Sequence, residues 1–350
     1  MKAMHSMIGC RLNAKYWRKY LQTRMIDMEK IFTHLFGPVP SRRLGRSLGI
    51  DLIPFKTCTF DCIYCQLGRT TNKTVTRAAY APTQGIVDEL KAYLISPHPP
   101  IDYLTLSGSG EPALHSDLGF IIASIKKMTD VPVAVLTNGS LLHDREVRRE
   151  LLEADLVIPT LAADAETVFQ CVHRPEPSIS FARHVDGLIC FAEAFRHRLW
   201  VELFLLQGIT GMGKNVSAIN RIIEKIKPEK IQINTASRPP CESFAYPVAP
   251  QRLAALGKLL TGHVEIVAEN RRDDTSPQGE ASATAIVELI RRRPCTVEDV
   301  SLGLSIHAAE ASKIMAHLVD QGAALTHHRD GKTYFLTSSK KHPSHATINR

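Results

Sequence analysis

The chain has 350 residues, 44% of them hydrophobic, which is enough to bury the core of one large α/β domain with a smaller addition. Its formal net charge is +8, and the first 36 residues carry seven lysines and arginines against two acids. No apolar run has the length of a signal peptide, or of a membrane span of roughly 18 residues. We therefore expect no membrane partner, and the eight cysteines, which lack a disulfide-like rhythm, predict a reducing, cytoplasmic location.

The chain begins with a basic N-terminal arm, residues 1–36, which predicts a contact with nucleic acid or a membrane surface, or else a solvated tail. Three arginines, Arg42, Arg43 and Arg46, follow among glycines and prolines just before the first predicted strand. Because they lie close in sequence to a cysteine-rich loop, we expect Arg42 or Arg43 to contact a phosphate or carboxylate group.

Three cysteines follow the first predicted strand: Cys58, Cys62 and Cys65, in the spacing Cys-x3-Cys-x2-Cys. Thiolates are soft ligands, and three of them on one loop suit zinc or an iron–sulfur cluster. A structural zinc site normally has a fourth Cys or His ligand, but the next cysteine along the chain is Cys171. The loop therefore favours a cluster with one iron open to another ligand, with zinc and with thiols of no function as alternatives.

Short apolar runs alternate with amphipathic segments between residues 49 and 234, a pattern typical of parallel βα units. The predicted strands are 49–53, 101–107, 131–136, 156–161, 199–206 and 230–234, with 263–268 as a further candidate. The predicted helices are 83–95, 116–127, 144–153, 178–196 and 215–227. Six such units with right-handed crossovers predict either a doubly wound sheet or an incomplete barrel.

Several polar or glycine-rich positions follow the carboxyl ends of these strands, where ligands of parallel α/β proteins bind. The loop after the second strand, residues 106–112, is rich in glycine at a point where the backbone must approach a ligand closely. Asn138 follows the third strand, and Glu202 and Gln207 lie within and after the fifth. Cys241, close after the sixth strand, is predicted to be an inert thiol, with a hydrogen donor or a further cluster ligand as alternatives.

The composition changes near residue 270, where a polar linker at 271–282 leads to a separate region at 283–337 and a flexible tail at 338–350. Helices at 283–293, 296–302 and 308–321, and a hairpin turned at 329–332, predict a winged helix-turn-helix. Its third helix offers only His307, Lys313 and His317 as positive or neutral contacts, whereas readers of duplex DNA usually show a clearly basic face. We therefore expect a docking module rather than a DNA-binding one.

The joint order of these motifs resembles the radical S-adenosylmethionine (SAM) superfamily over residues 37–270. The cysteine loop, with an aromatic residue before its third cysteine, is similar to the superfamily's cluster signature, and residues 110–112 are similar to the motif that receives the amino group of SAM. The resemblance implies a [4Fe-4S] cluster on the three cysteines, and an α/β fold, a partial (β/α)6 barrel with a C-terminal winged-helix module. It also implies SAM contacts from Tyr64, Ser109, Gly110, Glu111, Pro112, Asn138, Glu202 and Gln207. Ser109 stands where many members have glycine.

Residues 37–45 and the turn at 238–240 resemble an uncharacterised branch of that superfamily related to the tRNA wyosine-forming synthases. Those synthases use additional N-terminal cysteines for a second cluster, whereas this chain has only Cys10 before the loop. The resemblance implies reductive cleavage of SAM to a 5′-deoxyadenosyl radical that abstracts hydrogen from a tRNA or RNA base, with reduced flavodoxin or ferredoxin as electron donor. The alternatives are a peptide- or protein-modifying radical SAM enzyme, including a glycyl-radical activase, and a non-enzymatic iron–sulfur regulator that binds DNA.

Overall fold

The structure is a computed structural model that describes residues 32–267, 283–304 and 306–338. The chain divides into two units, Met1–Thr33 and His34–Arg350, and the description below concerns the second. Residues 1–31 of the predicted basic arm, the predicted linker at 271–282 and residues 339–350 of the predicted tail lie outside the described residues. Those three predictions therefore stay predictions.

An eight-stranded sheet forms the larger part of the described chain, in the order β1-β2-β5-β6-β7-β8-β9-β10. The strands of this sheet are β1 (Leu35–Ser41), β2 (Gly45–Ile50), β5 (Tyr103–Leu106), β6 (Val133–Thr137), β7 (Leu156–Leu161), β8 (Arg198–Leu205), β9 (Lys230–Thr235) and β10 (Val264–Ile266). The edge strand β1 is antiparallel to β2. All the other neighbours pair in parallel. A separate parallel pair, β3 (Thr57–Cys58) and β4 (Asn72–Lys73), flanks the cysteine loop.

Helices connect successive parallel strands, as in repeated βα units. They are α1 (Thr83–Ile95), α2 (Leu118–Met128), α3 (Arg145–Leu151), α4 (Glu166–His173), α5 (Phe181–Ala194), α6 (Gly213–Ile226) and α7 (Pro250–Gly257). Their apolar faces cover the sheet: in α6, for example, Val216, Ile219 and Ile223 are buried at helical spacing. The strands are correspondingly apolar on both faces, which confirms the predicted α/β class with a parallel sheet forming a partial barrel.

The inside of the partial barrel is closed by apolar side chains near the amino ends of its strands. Leu44, from the β1–β2 turn, packs there with Leu156, Ile158 and Trp200. Side chains of one strand alternate between its two faces, so Glu202 and Phe204 of β8 lie on the same inner face as Trp200, closer to the carboxyl edge. The interior is therefore sealed at one end, and a site can form only toward the carboxyl edge.

The C-terminal module, residues 283–338, contains three helices and an antiparallel hairpin among its described residues. They are α8 (Ala283–Arg292), α9 (Val297–Leu304), α10 (Ala308–Asp320), β11 (Ala324–Arg329) and β12 (Lys332–Thr337). These elements lie where a winged helix was predicted, and that interpretation stays a prediction. The module contacts the sheet: Val39 of β1 packs against its core, and the Tyr334 hydroxyl donates to the Ser237 carbonyl after β9 at 3.2 Å.

Several elements differ from the sequence prediction. The first parallel strand spans Gly45–Ile50 rather than 49–53, and β1 was not predicted. The Gly-Pro-Val-Pro sequence of β1 is unusual for a strand. However, β1 lies at the sheet edge and has a register shift between Phe36 and Val39, where prolines are tolerated. The short helices α4 and α7 were also missed. Among the described residues, no helix is long and apolar enough to cross a membrane.

Candidate functional site

The cysteine loop is held against the end of helix α4 by backbone hydrogen bonds. The Asp61 N–H donates to the His173 carbonyl at 2.9 Å, and the Ile63 N–H donates to the Val172 carbonyl at 3.0 Å. The last carbonyls of a helix have no partner within the helix, so they accept these bonds without disrupting it. On its other side, the Thr74 N–H donates to the Cys58 carbonyl at 3.1 Å. The start and the middle of the loop are thus fixed by main-chain contacts.

Each of the three cysteine sulfurs has a polar neighbour from a different part of the chain. Asn138 Nδ2 lies 3.5 Å from the sulfur of Cys58, and Lys56 Nζ lies 3.3 Å from the sulfur of Cys65. His173 Nδ1 lies 3.3 Å from the sulfur of Cys62. Hydrogen bonds to cysteine sulfurs stabilise the negative charge of an iron–sulfur cluster and tune its potential, so this donor set fits such a group.

Burial controls the ionisation of these groups when no metal is bound. It raises the pKa of Cys58 to about 12 and that of Cys62 well above its ordinary value. Burial also lowers the pKa of His173 to about 3, so its ring is neutral at pH 7 and can either accept a thiol proton or donate to a thiolate. Burial lowers the pKa of Lys56, but the cysteines, Cys65 foremost, outweigh it and raise that pKa overall.

No three His, Cys, Asp or Glu side chains of the described residues converge as ligands of a single metal ion. A cubane cluster does not require that convergence, because each cysteine binds a different iron. A metal held by these thiols must displace their protons, and coordination deprotonates a thiol outright. The loop is therefore suited to a ligand with several metal atoms spread between its sulfurs.

The glycine-rich loop after β5 packs directly on the backbone that leads into the cysteine loop. The Lys56 N–H donates to the Ser109 carbonyl at 2.8 Å, and the Glu111 N–H donates to the Thr57 carbonyl at 3.3 Å. A Cβ atom placed on Gly110 would lie 1.9 Å from that same Thr57 oxygen. The missing side chain at Gly110 therefore lets this loop pack on the strand that carries Cys58, and the predicted contact of Gly110 with SAM stays a prediction.

Ser109 is turned toward Asp51, the residue that follows β2. The Ser109 hydroxyl donates to Asp51 Oδ2 at 2.5 Å, and its N–H donates to Asp51 Oδ1 at 3.1 Å. Arg292 of the C-terminal module makes an ion pair with the same carboxylate, 3.1 Å from Asp51 Oδ2. The serine that replaces the expected glycine therefore connects the glycine-rich loop to the C-terminal module.

Glu111 joins the loop after β5 to the end of β6. Its buried carboxylate accepts from the Thr137 hydroxyl at 2.6 Å, from the Asn138 N–H at 2.7 Å and from the Ala113 N–H at 3.0 Å. Burial raises its pKa, although those hydrogen bonds oppose the shift. The buried Pro112 begins a short 3-10 turn, residues Pro112–Leu114. Both oxygens of the Glu111 carboxylate are therefore used within the protein, and a ligand at this edge would meet the backbone of the loop rather than this side chain.

A buried polar layer lies inside the barrel, beneath the cysteine loop. Glu202 accepts from Arg43 at 2.8 Å, from Asn234 at 3.0 Å and from the Thr160 hydroxyl at 2.8 Å. Burial raises the pKa of Glu202, but Arg43 and the two hydrogen bonds outweigh burial and hold it below the ordinary value. The expectation that Arg43 contacts a carboxylate agrees with this pair, but the partner belongs to the chain itself.

Tyr64 covers this layer from the cysteine loop. Its ring stacks on Phe204 of β8, with ring centroids 3.9 Å apart and planes 16° apart. Burial, then the neighbouring Cys62 and Glu202, raise the pKa of Tyr64 well above its ordinary value, so the phenol stays protonated. The aromatic pair separates the cysteine sulfurs from the charged layer.

The structure brings most of the predicted site residues together, with one exception. Gln207 is exposed: its N–H donates to the Tyr246 carbonyl at 3.0 Å, and it lines a cavity of about 260 Å³ with Val248 and Arg252. Cys241 lies beside the loop, because the next residue, Glu242, donates its N–H to the Ile63 carbonyl at 2.9 Å. Burial raises the pKa of Cys241 to about 11, so its thiol is protonated.

Two residues beside the cysteines, Lys56 and His173, were not predicted. His173 lies in a helix that the sequence did not reveal, far from the loop in sequence. Lys56 adopts the left-handed conformation, with φ of 59°, directly before the loop. A lysine two residues before the first cysteine was the only available signal, because surface lysines are common and the contact depends on the turn.

Comparison with known proteins places this geometry in a family. Residues 52–213 match the pattern described as the Radical SAM superfamily. The chain is 30% identical over 319 residues to UPF0026 protein MJ1312 of Methanocaldococcus jannaschii, covering 88% of this chain and 97% of that protein. It is 38% identical over 294 residues to a protein of Brachyspira hyodysenteriae named GTPase Obg, covering 82% of this chain. The chain spans only 43% of the length of that relative.

A crystal structure of a radical SAM methyltransferase from Sphaerobacter thermophilus shares the fold. The TM-score is 0.50 at 12% sequence identity, over 63% of this chain and 65% of that one. At this identity the likeness concerns the fold alone.

Proposed function

Because the chain belongs with the UPF0026 proteins and is an enzyme of the radical SAM superfamily, we propose that Cys58, Cys62 and Cys65 hold a [4Fe-4S] cluster. The observation that carries the proposal is the loop itself: three sulfurs on one fixed loop, each beside a polar group that can donate a hydrogen bond to it, with Lys56 adding a positive charge. SAM binds at the adjoining loop after β5, where residues 110–112 receive its amino group.

The cluster, when bound, supplies the electron that cleaves SAM to methionine and a 5′-deoxyadenosyl radical, which abstracts hydrogen from the substrate. The chain's own residues orient and shield that chemistry. Leu44 and Trp200 seal the barrel interior at its far end, and the stack of Tyr64 on Phe204 excludes water beneath the cysteines. A reduced flavodoxin or ferredoxin serves as electron donor in a reducing cytoplasm.

For the substrate, the proposal is a base of tRNA or another structured RNA. The basic residues 1–36, the arginines of the β1–β2 turn and the resemblance to wyosine-forming synthases support this choice over a peptide. The C-terminal module acts as a wall and docking surface rather than a DNA reader. In α10 only Lys313 adds an exposed positive charge, because the His307 side chain caps the helix by accepting from the Ala309 N–H at 3.2 Å.

Iron and electron paramagnetic resonance measurements test the cluster. Anaerobically reconstituted protein should bind about four irons per chain and give a reduced-state signal that shifts when SAM is added. Cys65→Ala should lose iron, whereas Cys190→Ala, a matched change at an exposed cysteine, should not. Zinc in place of iron, or a signal indifferent to SAM, would contradict the proposal.

Salt dependence tests the RNA substrate. Phosphate contacts release counterions, so tRNA affinity should fall steeply between low and moderate salt. Deleting residues 1–29 should flatten that slope, because it removes part of the N-terminal charge. If tRNA does not bind at low salt, the substrate is a peptide or a small molecule instead.

A further inference from the structure

Four arginines gather where the C-terminal module meets the barrel: Arg42, Arg43, Arg238 and Arg293. Arg42 Nη1 donates to the Ser237 hydroxyl at 3.3 Å, which brings the β1–β2 turn to the loop after β9. Arg238, the next residue in that loop, pairs with Asp299 of α9 at 3.1 Å.

The module's own arginine lies at the same junction. Asp299 Oδ2 accepts from the Thr296 N–H at 3.1 Å, and Arg293 lies three residues before Thr296 in the connection between α8 and α9. Arg293 lies close enough to Arg42 and Arg238 to lower the pKa of both, so three separate segments of the chain supply guanidinium groups to one place.

The positive charges of this cluster exceed its negative charges. Arg43 pairs with Glu202, and Arg238 pairs with Asp299. Within residues 32–267, 283–304 and 306–338, neither Arg42 nor Arg293 makes an ion pair with a carboxylate. Asp299 attracts Arg42 and Arg293 as well as Arg238, but one carboxylate cannot balance three guanidinium groups, so this partly buried junction keeps an excess of positive charge.

The lowered pKa values of two arginines show that their positive charges are unfavourable at this junction. Burial, with added repulsion from Arg238, Arg43 and Arg293, lowers the pKa of Arg42 to about 10. Burial and Arg293 also lower the pKa of Arg238, and Arg238 Nε is buried without a hydrogen-bond partner. Like charges at partly buried positions destabilise a fold unless a bound anion balances them, and the planar guanidinium fork matches phosphate oxygens.

We propose that Arg42, Arg238 and Arg293 form a binding site for a phosphate group of the substrate, at the junction of the barrel and the C-terminal module. The inference rests on the proposed function for its location, since Arg42 adjoins Arg43 and hence the Glu202 layer beneath the cysteine loop. It adds that the module contributes a residue to the substrate site, so the site is complete only with the module in place.

Binding of inorganic phosphate by the metal-free full-length chain tests the site without iron or SAM. Phosphate should raise the melting temperature of the wild-type chain more than chloride at equal ionic strength, because a ligand of the folded state stabilises it. Arg42→Gln and Arg293→Gln should each weaken phosphate at least tenfold. Arg196→Gln, at an exposed position outside the junction, should bind phosphate like the wild type.

The same variants separate anion binding from a structural role. Without phosphate, Arg42→Gln should melt no lower than wild type, because it removes repulsion among arginines. A variant that melts well below wild type while phosphate binding is unchanged would mean that Arg42 serves only its bond to Ser237, and would overturn the proposal. Equal phosphate affinity in wild type and in Arg293→Gln would overturn it too.

Competition between inorganic phosphate and tRNA then shows whether the phosphate group belongs to RNA or to a small molecule. It also tests the phosphate site separately from the proposed function. If the group belongs to RNA, phosphate should displace tRNA from the wild type but much less effectively from Arg293→Gln. If it belongs to a small molecule, phosphate should bind without displacing tRNA, and the phosphate site still stands. A wild-type cluster signal indifferent to SAM would refute the proposed function while leaving the phosphate titration interpretable, because that titration needs no cluster.

Discussion

Arg292→Gln should destabilise the chain far more than Arg291→Gln, although the two arginines are neighbours on α8. The Arg292 pair with Asp51 spans 3.1 Å, with side chains only 15% and 12% exposed. The Arg291 pair with Glu288 spans 2.6 Å, but those side chains are 50% and 42% exposed. Breaking a buried pair leaves an uncompensated charge and costs about 3–5 kcal/mol, whereas an exposed pair contributes about 0–1 kcal/mol.

The structure places the loss of the ion pair alone near the lower end of that range, at about 3 kcal/mol. Asp51 keeps two hydrogen bonds from Ser109, which stabilise its charge after the guanidinium is gone. The change also removes the stacking of Arg292 over the Phe36 ring, 4.0 Å from its centroid, a contact of about 0.5–2 kcal/mol. Adding the two contributions, we expect a loss of about 4 kcal/mol for Arg292→Gln and under about 0.5 kcal/mol for Arg291→Gln.

Thermal unfolding of the two variants under metal-free conditions measures the difference. At about 2 °C per kcal/mol for a chain of this size, Arg292→Gln should melt about 8 °C lower, and Arg291→Gln within about 1 °C of wild type. Because Asp51 also holds Ser109, Arg292→Gln should additionally weaken SAM binding to the reconstituted protein. Equal melting temperatures for the two variants would show that this buried pair is not what secures the module.

Two further changes test the loop contacts and the polar layer. Gly110→Ala should lower the amount of iron bound after reconstitution, because its Cβ would lie 1.9 Å from the Thr57 carbonyl oxygen beside Cys58. The control Gly85→Ala should bind iron normally, because its Cβ would meet only Pro82, at 3.4 Å. Glu202→Gln should lower the melting temperature near pH 7. The difference in melting temperature from wild type should shrink as the pH falls below 4.5, the ordinary pKa of a glutamate. The reason is that the pKa of Glu202 in the folded state lies below 4.5, so its charge stabilises the fold until it protonates. A gap that grows on acidification would contradict the assigned charge of Glu202.

The sequence predicted the parallel strands well because they are buried on both faces and therefore apolar throughout. Leu156–Leu161, predicted without error, is buried at five of its six positions. The edge strand β1 lacks that signature, because only one neighbour pairs with it and its glycine and prolines read as a turn. Helix α4 is short, and only three of its residues are buried, Phe169, Val172 and His173. Its sequence therefore lacks an amphipathic pattern long enough to predict a helix.

At the site, the sequence allowed us to predict the cysteine ligands from their spacing within one loop, but not the contacts between distant segments. Three cysteines within eight residues announce themselves. The pair of Arg43 with Glu202 joins residues 159 apart, and that of Asp51 with Arg292 joins residues 241 apart. The first pair depends on the barrel's curvature, which brings the first and later strands together, and the second depends on the docking of the C-terminal module. Neither leaves a periodic trace in the sequence. The packing of Gly110 on the Thr57 carbonyl was not predicted for the same reason, since Thr57 comes from another strand.

The C-terminal module spans the open side of the partial barrel at two points. The eight-stranded sheet has β1 at one edge and β10 at the other. Arg292 binds Asp51, just after β2, and Asp299 binds Arg238, just after β9, so one module is tied to the carboxyl ends of strands near both edges. Because both pairs involve largely buried side chains, separating the edges would expose or unpair charges at each of them. The width of the site's mouth is therefore set by the module as much as by the sheet.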